Sequence, residues 1–221
     1  MSDRPTEQRS ETERAYEYER LGVTPTPDDG TRLSETAAWD EATRPHRAPS
    51  GPEVLYTDAG RQVGRHLIDV HDMLRGELVE LRELLAQVRD GALGAGEARS
   101  ALNRMAMRQN DWTLGAFCAR YCRAVAQHHG LEDAAVFPHL ARSDTKLAPV
   151  IDRLTQEHLV IHDALEAVDR ALVEHINQPE DFEPLQRALD LLTDALLSHL
   201  SYEEHELVEP LARLGFYAGQ M

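Results

Sequence analysis

Arg120–Leu140 reads RYCRAVAQHHGLEDAAVFPHL, and the spacing of its polar residues decides the fold. Within it, His128 and Glu132 stand four apart. On an α-helix, residues at that spacing lie one above the other, about one 5.4 Å turn apart. An imidazole and a carboxylate so placed reach one metal ion, or one ion and its neighbour. A single pair of this kind occurs often by chance. Its weight comes from repetition: His158 and His162 are again four apart, and so are His199 and Glu203.

Each pair is embedded in an apolar stripe of helical period. Around the quoted stretch the stripe is Cys118, Tyr121, Val125, His128, Glu132, Ala135 and His139, on a segment from about residue 98 to 140 with breaks expected near Gly115, Gly130 and Pro138. His129 and Asp133 fall beside that face, which predicts that His129 is dispensable for a metal. Upstream, a helix from about Thr57 to Arg89 carries Val63, Leu67, Leu74, Leu78, Leu81, Leu85 and Val88, with His71 in the core position between Leu67 and Leu74. The glycine-rich GALGAG, Gly91–Gly96, ends it. Downstream, a helix from about Asp144 to His175 carries Ile151, Leu154, His158, Ile161, Leu165, Val168 and Leu172, with His162 flanking the stripe. The last helix runs from about Asp181 to Arg213, with Pro184 in its first turn, a bend expected at Pro210 and a stop at Gly215. Four long amphipathic helices with short breaks predict an all-α, up-down-up-down four-helix bundle over residues 56–215. Residues 1–55, acidic and rich in Pro and Ser, read as a disordered tail in which Trp39 is the one anchor and His46 is solvated; residues 216–221 form a short C-terminal tail.

Composition narrows the function. The chain has 221 residues, 42% of them hydrophobic but only 5% aromatic, a mix that favours helices built on Leu, Ala, Val and Ile. A net charge of −16 argues against nucleic acid and anionic membranes, which require a basic footprint. No apolar run approaches the roughly 18 residues of a membrane span, and no apolar signal region opens the sequence, so a cytoplasmic location is expected. Cys118 and Cys122 lie too far along their helix from His128 to join a metal site and read as small core residues.

Collected, the core-facing polar set is His71, His128, Glu132, His158, His162, His199 and Glu203. Burying so many ionisable groups without partners costs a few kcal/mol each, and a divalent metal pair supplies the partner. The donor set is nitrogen and oxygen without thiolate, unlike a structural zinc site, and is too large for one ion. Two octahedral ions offer about twelve positions. Five imidazoles, two bridging carboxylates and a bridging oxygen leave about one open. That describes a bridged di-iron site able to take O2, NO or a peroxide.

With this pattern the sequence resembles the hemerythrin-like, or HHE cation-binding, proteins of bacterial type, over about residues 57–215. The resemblance rests on a first-helix His71, then His128-x-x-x-Glu132, His158-x-x-x-His162 and His199-x-x-x-Glu203. It implies that His158, His162 and His199 bind one iron, His71 and His128 the other, and Glu132 and Glu203 bridge, with the open position on the two-histidine iron. Oxygen-carrying members close with a His and an Asp five apart; here the phase favours Glu203, and Glu204 is the alternative. The Glu-x-x-His pairs of ferritin-type sites are absent. The reading is therefore a non-haem di-iron protein binding a small ligand. The rivals are a peroxide-decomposing redox enzyme, with Tyr202 or Tyr121 as proton donor, and an iron or oxygen sensor that uses the tail.

Overall fold

A computed structural model describes residues 4–90, 115–178 and 181–216, with the side chains of residues 4–11 and a few others excepted. The expected glycine-rich break at Gly91–Gly96, the start of the second helix and most of the C-terminal tail lie outside the described residues, as do the side chains of Cys118 and Cys122. Among the described residues there are helices and no strands. They are α1 (Arg4–Leu21), α2 (Asp58–Arg89), α3 (Gly115–Leu131), α4 (Phe137–Ser143), α5 (Ala148–Asn177) and α6 (Glu183–Leu214).

Local chemistry sets the boundaries. Thr57 caps α2 by accepting the Gly60 N–H through its hydroxyl at 3.0 Å. Asp144 accepts the Lys146 N–H at 3.1 Å and starts a 3-10 turn, Thr145–Leu147, that leads into α5. Helix α6 opens with Pro184 in its first turn, continues through Pro210 and stops at Gly215, whose φ of 72° suits a residue without Cβ.

Helices α2, α3, α5 and α6 form the bundle: α2 packs on α6, α6 on α5, α5 on α3, and α3 on α2. The tightest approach is between α2 and α6. A Cβ on Gly60 would run into the Ala212 carbonyl, and one on Gly64 would sit 2.8 Å from the Val208 carbonyl. The core divides into two apolar clusters. One gathers Leu74, Leu78, Tyr121, Val125, Ile161 and Leu196; the other gathers Leu67, Phe137, Leu140, Leu154, Leu207 and Val208. In chain order, His71 falls between Leu67 and Leu74, His158 between Leu154 and Ile161, and His199 and Glu203 between Leu196 and Leu207, each pair of flanking residues drawn from the two different clusters.

The N-terminal segment differs from expectation. It is laid along α6 as a strap, with Leu21 and Val23 buried in the second cluster and Trp39 packed against the first. Its apolar content is sparse, as the sequence shows, so paired charges hold it. Arg14 meets Glu206 at 2.8 Å, the buried Arg47 meets Glu17 at 2.8 Å, and His46, exposed as expected, lies 2.8 Å from Glu206. The backbone N–H groups of Leu33 and Ser34 donate to Asp194. No helix among the described residues is long and apolar enough to cross a membrane.

Candidate metal centre

The polar layer brings two groups of donor atoms together, each with its members within 4.8 Å of one another. The first is His129, His158 and His199; the second is His71, His128, Glu132 and Glu203. The Nε2 atoms of His71 and His128 face each other at 3.0 Å. Glu132 lies between the groups, 3.4 Å from His128 Nε2 through one oxygen and 3.7 Å from His158 Nε2 through the other. Glu203 does the same from the opposite side, with Oε2 3.5 Å from His71 Nε2 and 3.6 Å from His199 Nε2.

Two sequence expectations change. His162 is not in either group. Its side chain is 60% exposed and pairs with Glu166 one turn on. The buried arc of α5 follows Leu154, Glu157, His158, Ile161 and Leu165, which leaves position 162 on the solvent edge. His129, expected beside the core face, is 5% exposed and lies ring to ring on His158, with centroids 3.9 Å apart and planes at 7°. The two neighbours on α3 therefore serve different groups, His128 the second and His129 the first. The doublet itself was the available signal, because adjacent residues are about 100° apart on a helix and a buried arc of that width admits both.

A π-helical turn, Glu132–Val136, follows α3, closed by the Phe137 N–H donating to the Glu132 carbonyl. The wider turn precedes Pro138, which has no N–H to give. Beyond it, Phe137 stacks on the other side of His158, with centroids 5.3 Å apart.

Each outward-facing ring nitrogen that has a carboxylate partner is fixed by it. His71 Nδ1 is 2.9 Å from Glu204, His158 Nδ1 is 3.0 Å from Asp133, and His199 Nδ1 is 3.1 Å from Glu157. Since a carboxylate accepts, the proton sits on Nδ1 and the Nε2 lone pair points inward, as in metal-binding histidines with an outer carboxylate. Glu204, the alternative to Glu203 by spacing, is thus behind His71 while Glu203 faces the donor groups. Tyr202 donates its hydroxyl to the Pro45 carbonyl at 2.6 Å, and Tyr121 donates to the Leu74 carbonyl at 3.3 Å. The Tyr202 proton is thereby committed to the strap.

Several of the inward atoms are unsatisfied. Nε2 of His129, His158 and His199, Oε2 of Glu132 and both oxygens of Glu203 are buried without a hydrogen-bond partner. Natural proteins rarely leave such groups unpaired, and a cluster of them pointing at shared space fits a cation. The electrostatics agree. Burial, reinforced by the Glu203 charge, pushes Glu132 well above the usual carboxylate range. Burial opposes ionisation of Glu203 as well, but the hydrogen bond and charge of His71 outweigh it and hold Glu203 low. Burial drives the His128 imidazole down to about 3 and His129 well below its ordinary value. His71 moves the other way, because Glu203 and Glu204 overcome its burial.

The sequence matches the hemerythrin HHE cation binding domain over residues 62–211. The chain belongs to this family of metal-binding helical bundles, whose ion is typically iron. No curated protein and no solved structure matches it. The matched region begins inside α2, so the strap lies outside it.

Proposed function

We propose that the polar layer holds two iron ions and that the protein binds a small ligand, O2, NO or a peroxide, at one open position. In this reading His129, His158 and His199 would hold one ion and His71 and His128 the other, with Glu132 and Glu203, which lie near both groups, shared between them. The observation that carries it is the set of buried, unpartnered Nε2 and carboxylate oxygen atoms converging from α3, the π-turn, α5 and α6. With His129 in place of His162 the set would still offer five imidazoles and two carboxylates, fewer donors than the roughly twelve positions of two octahedral ions.

When bound, the iron pair supplies ferrous–ferric redox chemistry and a position for the ligand. The protein supplies the rest. Glu204, Asp133 and Glu157 orient the imidazoles through Nδ1. Phe137 and His129 clamp the His158 ring from both faces. The two apolar clusters above and below keep bulk water from the layer. His128, with 11% of its side chain exposed, is the most exposed member of the two groups, so a small ligand would reach the two-histidine side first.

The test is metal content of protein purified without chelator, with visible spectra before and after O2, NO and peroxide. Iron at about two per chain, with near-ultraviolet bands of a bridged ferric pair and a reversible spectral change on ligand addition, is the expected result. Steady oxygen evolution from peroxide would instead make the protein a peroxide-decomposing enzyme. A single zinc, or no metal, would overturn the reading.

A further inference from the structure

The strap reaches the outer shell of the metal centre at two places. Arg44 lies with its guanidinium 4.5 Å from the centre of the Tyr202 ring and 5.3 Å from that of Trp39. It donates to both oxygens of Glu157, from Nε at 2.8 Å and from the terminal nitrogen at 2.9 Å, and also to Ser198 at 2.9 Å. The same Glu157 oxygen that takes the terminal nitrogen takes His199 Nδ1. Arg153 supplies a third donor to Glu157 at 2.7 Å, and itself holds the strap through the Asp40 carbonyl and the Thr43 hydroxyl. Further up the strap, the backbone N–H of Thr26 donates to Glu204 at 2.7 Å, while the other oxygen of Glu204 takes His71 Nδ1 and Arg75. Ser201 pins this turn by donating to the Thr26 carbonyl at 2.8 Å.

One histidine in each donor group is thus oriented by a carboxylate that is itself oriented by the strap. We infer that the N-terminal strap is part of the metal centre, with Arg44 and the Thr26 N–H as positioning groups for His199 and His71. This rests on the reading of the layer as a metal site. The physical basis is that a carboxylate behind a ligating imidazole sets its ring orientation and its basicity, and a cation on that carboxylate moderates both. Arg44 also places a fixed positive charge close to His199, which disfavours the more highly charged oxidised metal. The family match covers residues 62–211, so Arg44 and Thr26 lie outside the matched domain.

The experiment uses the full-length protein loaded with iron and compares R44M, R44K, T26P and, as a control, R32M. Arg32 belongs to the strap and, among the described residues, pairs with Asp28, Glu41 and the Thr31 carbonyl, without contact to Glu157 or Glu204. Thr26 stands between Pro25 and Pro27, so proline removes the N–H in an already proline-rich stretch. Circular dichroism checks that each variant keeps the bundle. Chelator competition should show R44M and T26P losing affinity by roughly 10- to 100-fold, with partial rescue in R44K and none lost in R32M. The reduction potential should fall in R44M and stay near wild type in R44K and R32M. Wild-type affinity and potential in R44M and T26P would overturn the inference while leaving the metal reading intact. Equal losses in R32M would reduce the strap to a general stabiliser and also overturn it. A wild-type protein that binds no iron would remove both.

Discussion

At the residue scale, the assignment turns on which of two histidines joins His158 and His199. The i,i+4 rule places His162 above His158, but four residues advance a helix by 400°, so the second residue is rotated by about 40°. On α5 that rotation carries it out of the buried arc, because Glu157 occupies the other flank of His158 and is 1% exposed. Spacing alone cannot show on which side of a stripe the arc is centred; neighbours on other helices decide it. His129 is supplied by α3, where Tyr121, Val125 and Glu132 are also buried. The consequence is a clean contrast. His129→Ala should lose the metal on the three-histidine side, and His162→Ala should keep full metal content, since its side chain is 60% exposed and pairs with Glu166. Metal analysis after dialysis decides it. Loss in His162→Ala with retention in His129→Ala would restore the ligand set expected from spacing alone.

At the element scale, the bundle was largely legible. Among the described side chains the stripes of α2, α5 and α6 match their buried faces, and Thr57, Pro184 and Gly215 stand at the expected ends, while Asp144 caps the 3-10 turn that precedes α5. Two features were not. The break expected around Gly130 and Pro138 is a π-turn, in which the chain stays helical and gains one residue per turn. Its cause is the proline, but its register depends on Phe137 reaching His158 and Leu140 reaching the core, which are tertiary facts. The close contact of α2 with α6 at Gly60 and Gly64 was also hidden, because a glycine in a helix reads as a weak position and not as a contact. Gly60→Ala should therefore cost at least about 2 kcal/mol, since the backbone carbonyl of Ala212 cannot yield as a side chain would. Gly76, on the same helix, has nothing within 4 Å of its Cβ position. Gly76→Ala should stabilise by about 0.5–1 kcal/mol through helix propensity alone. Urea melts of the two variants separate packing from propensity, and a similar cost for both would argue against the close approach.

At the scale of the whole molecule, the strap explains how a chain of net charge −16 buries acids on its central helix. Glu204, Glu206 and Glu209 are all fully buried on α6, a pattern that in the sequence looks like a solvated face. Each has a partner in the N-terminal segment, the Thr26 N–H for Glu204, Arg14 for Glu206 and Arg47 for Glu209, in a stretch too poor in apolar residues to look structured. Burial works against ionisation of Glu206, but His46, Arg14 and the Arg47 N–H outweigh it and hold its pKa below the ordinary 4.5. A carboxyl whose folded-state pKa is depressed contributes stability that is present above its unfolded value and is lost as pH falls through the folded one. Glu204 is shifted in the same direction, with burial again opposed, here by His71 and the Thr26 N–H. Acid should therefore loosen the strap, beginning below pH 4.5. Trp39 reports on it, because its ring packs against the bundle and beside Arg44. In a Trp112→Phe background Trp39 is the sole tryptophan, and its emission should change as pH is lowered from 7 to 3. Glu206→Gln removes the charge that His46 and Arg14 require, so its strap should be weakened at pH 7 and its acid transition diminished. Superimposable titrations of the two proteins would mean that Glu206 does not anchor the strap, and that the apolar contacts of Leu21, Val23 and Trp39 hold it instead.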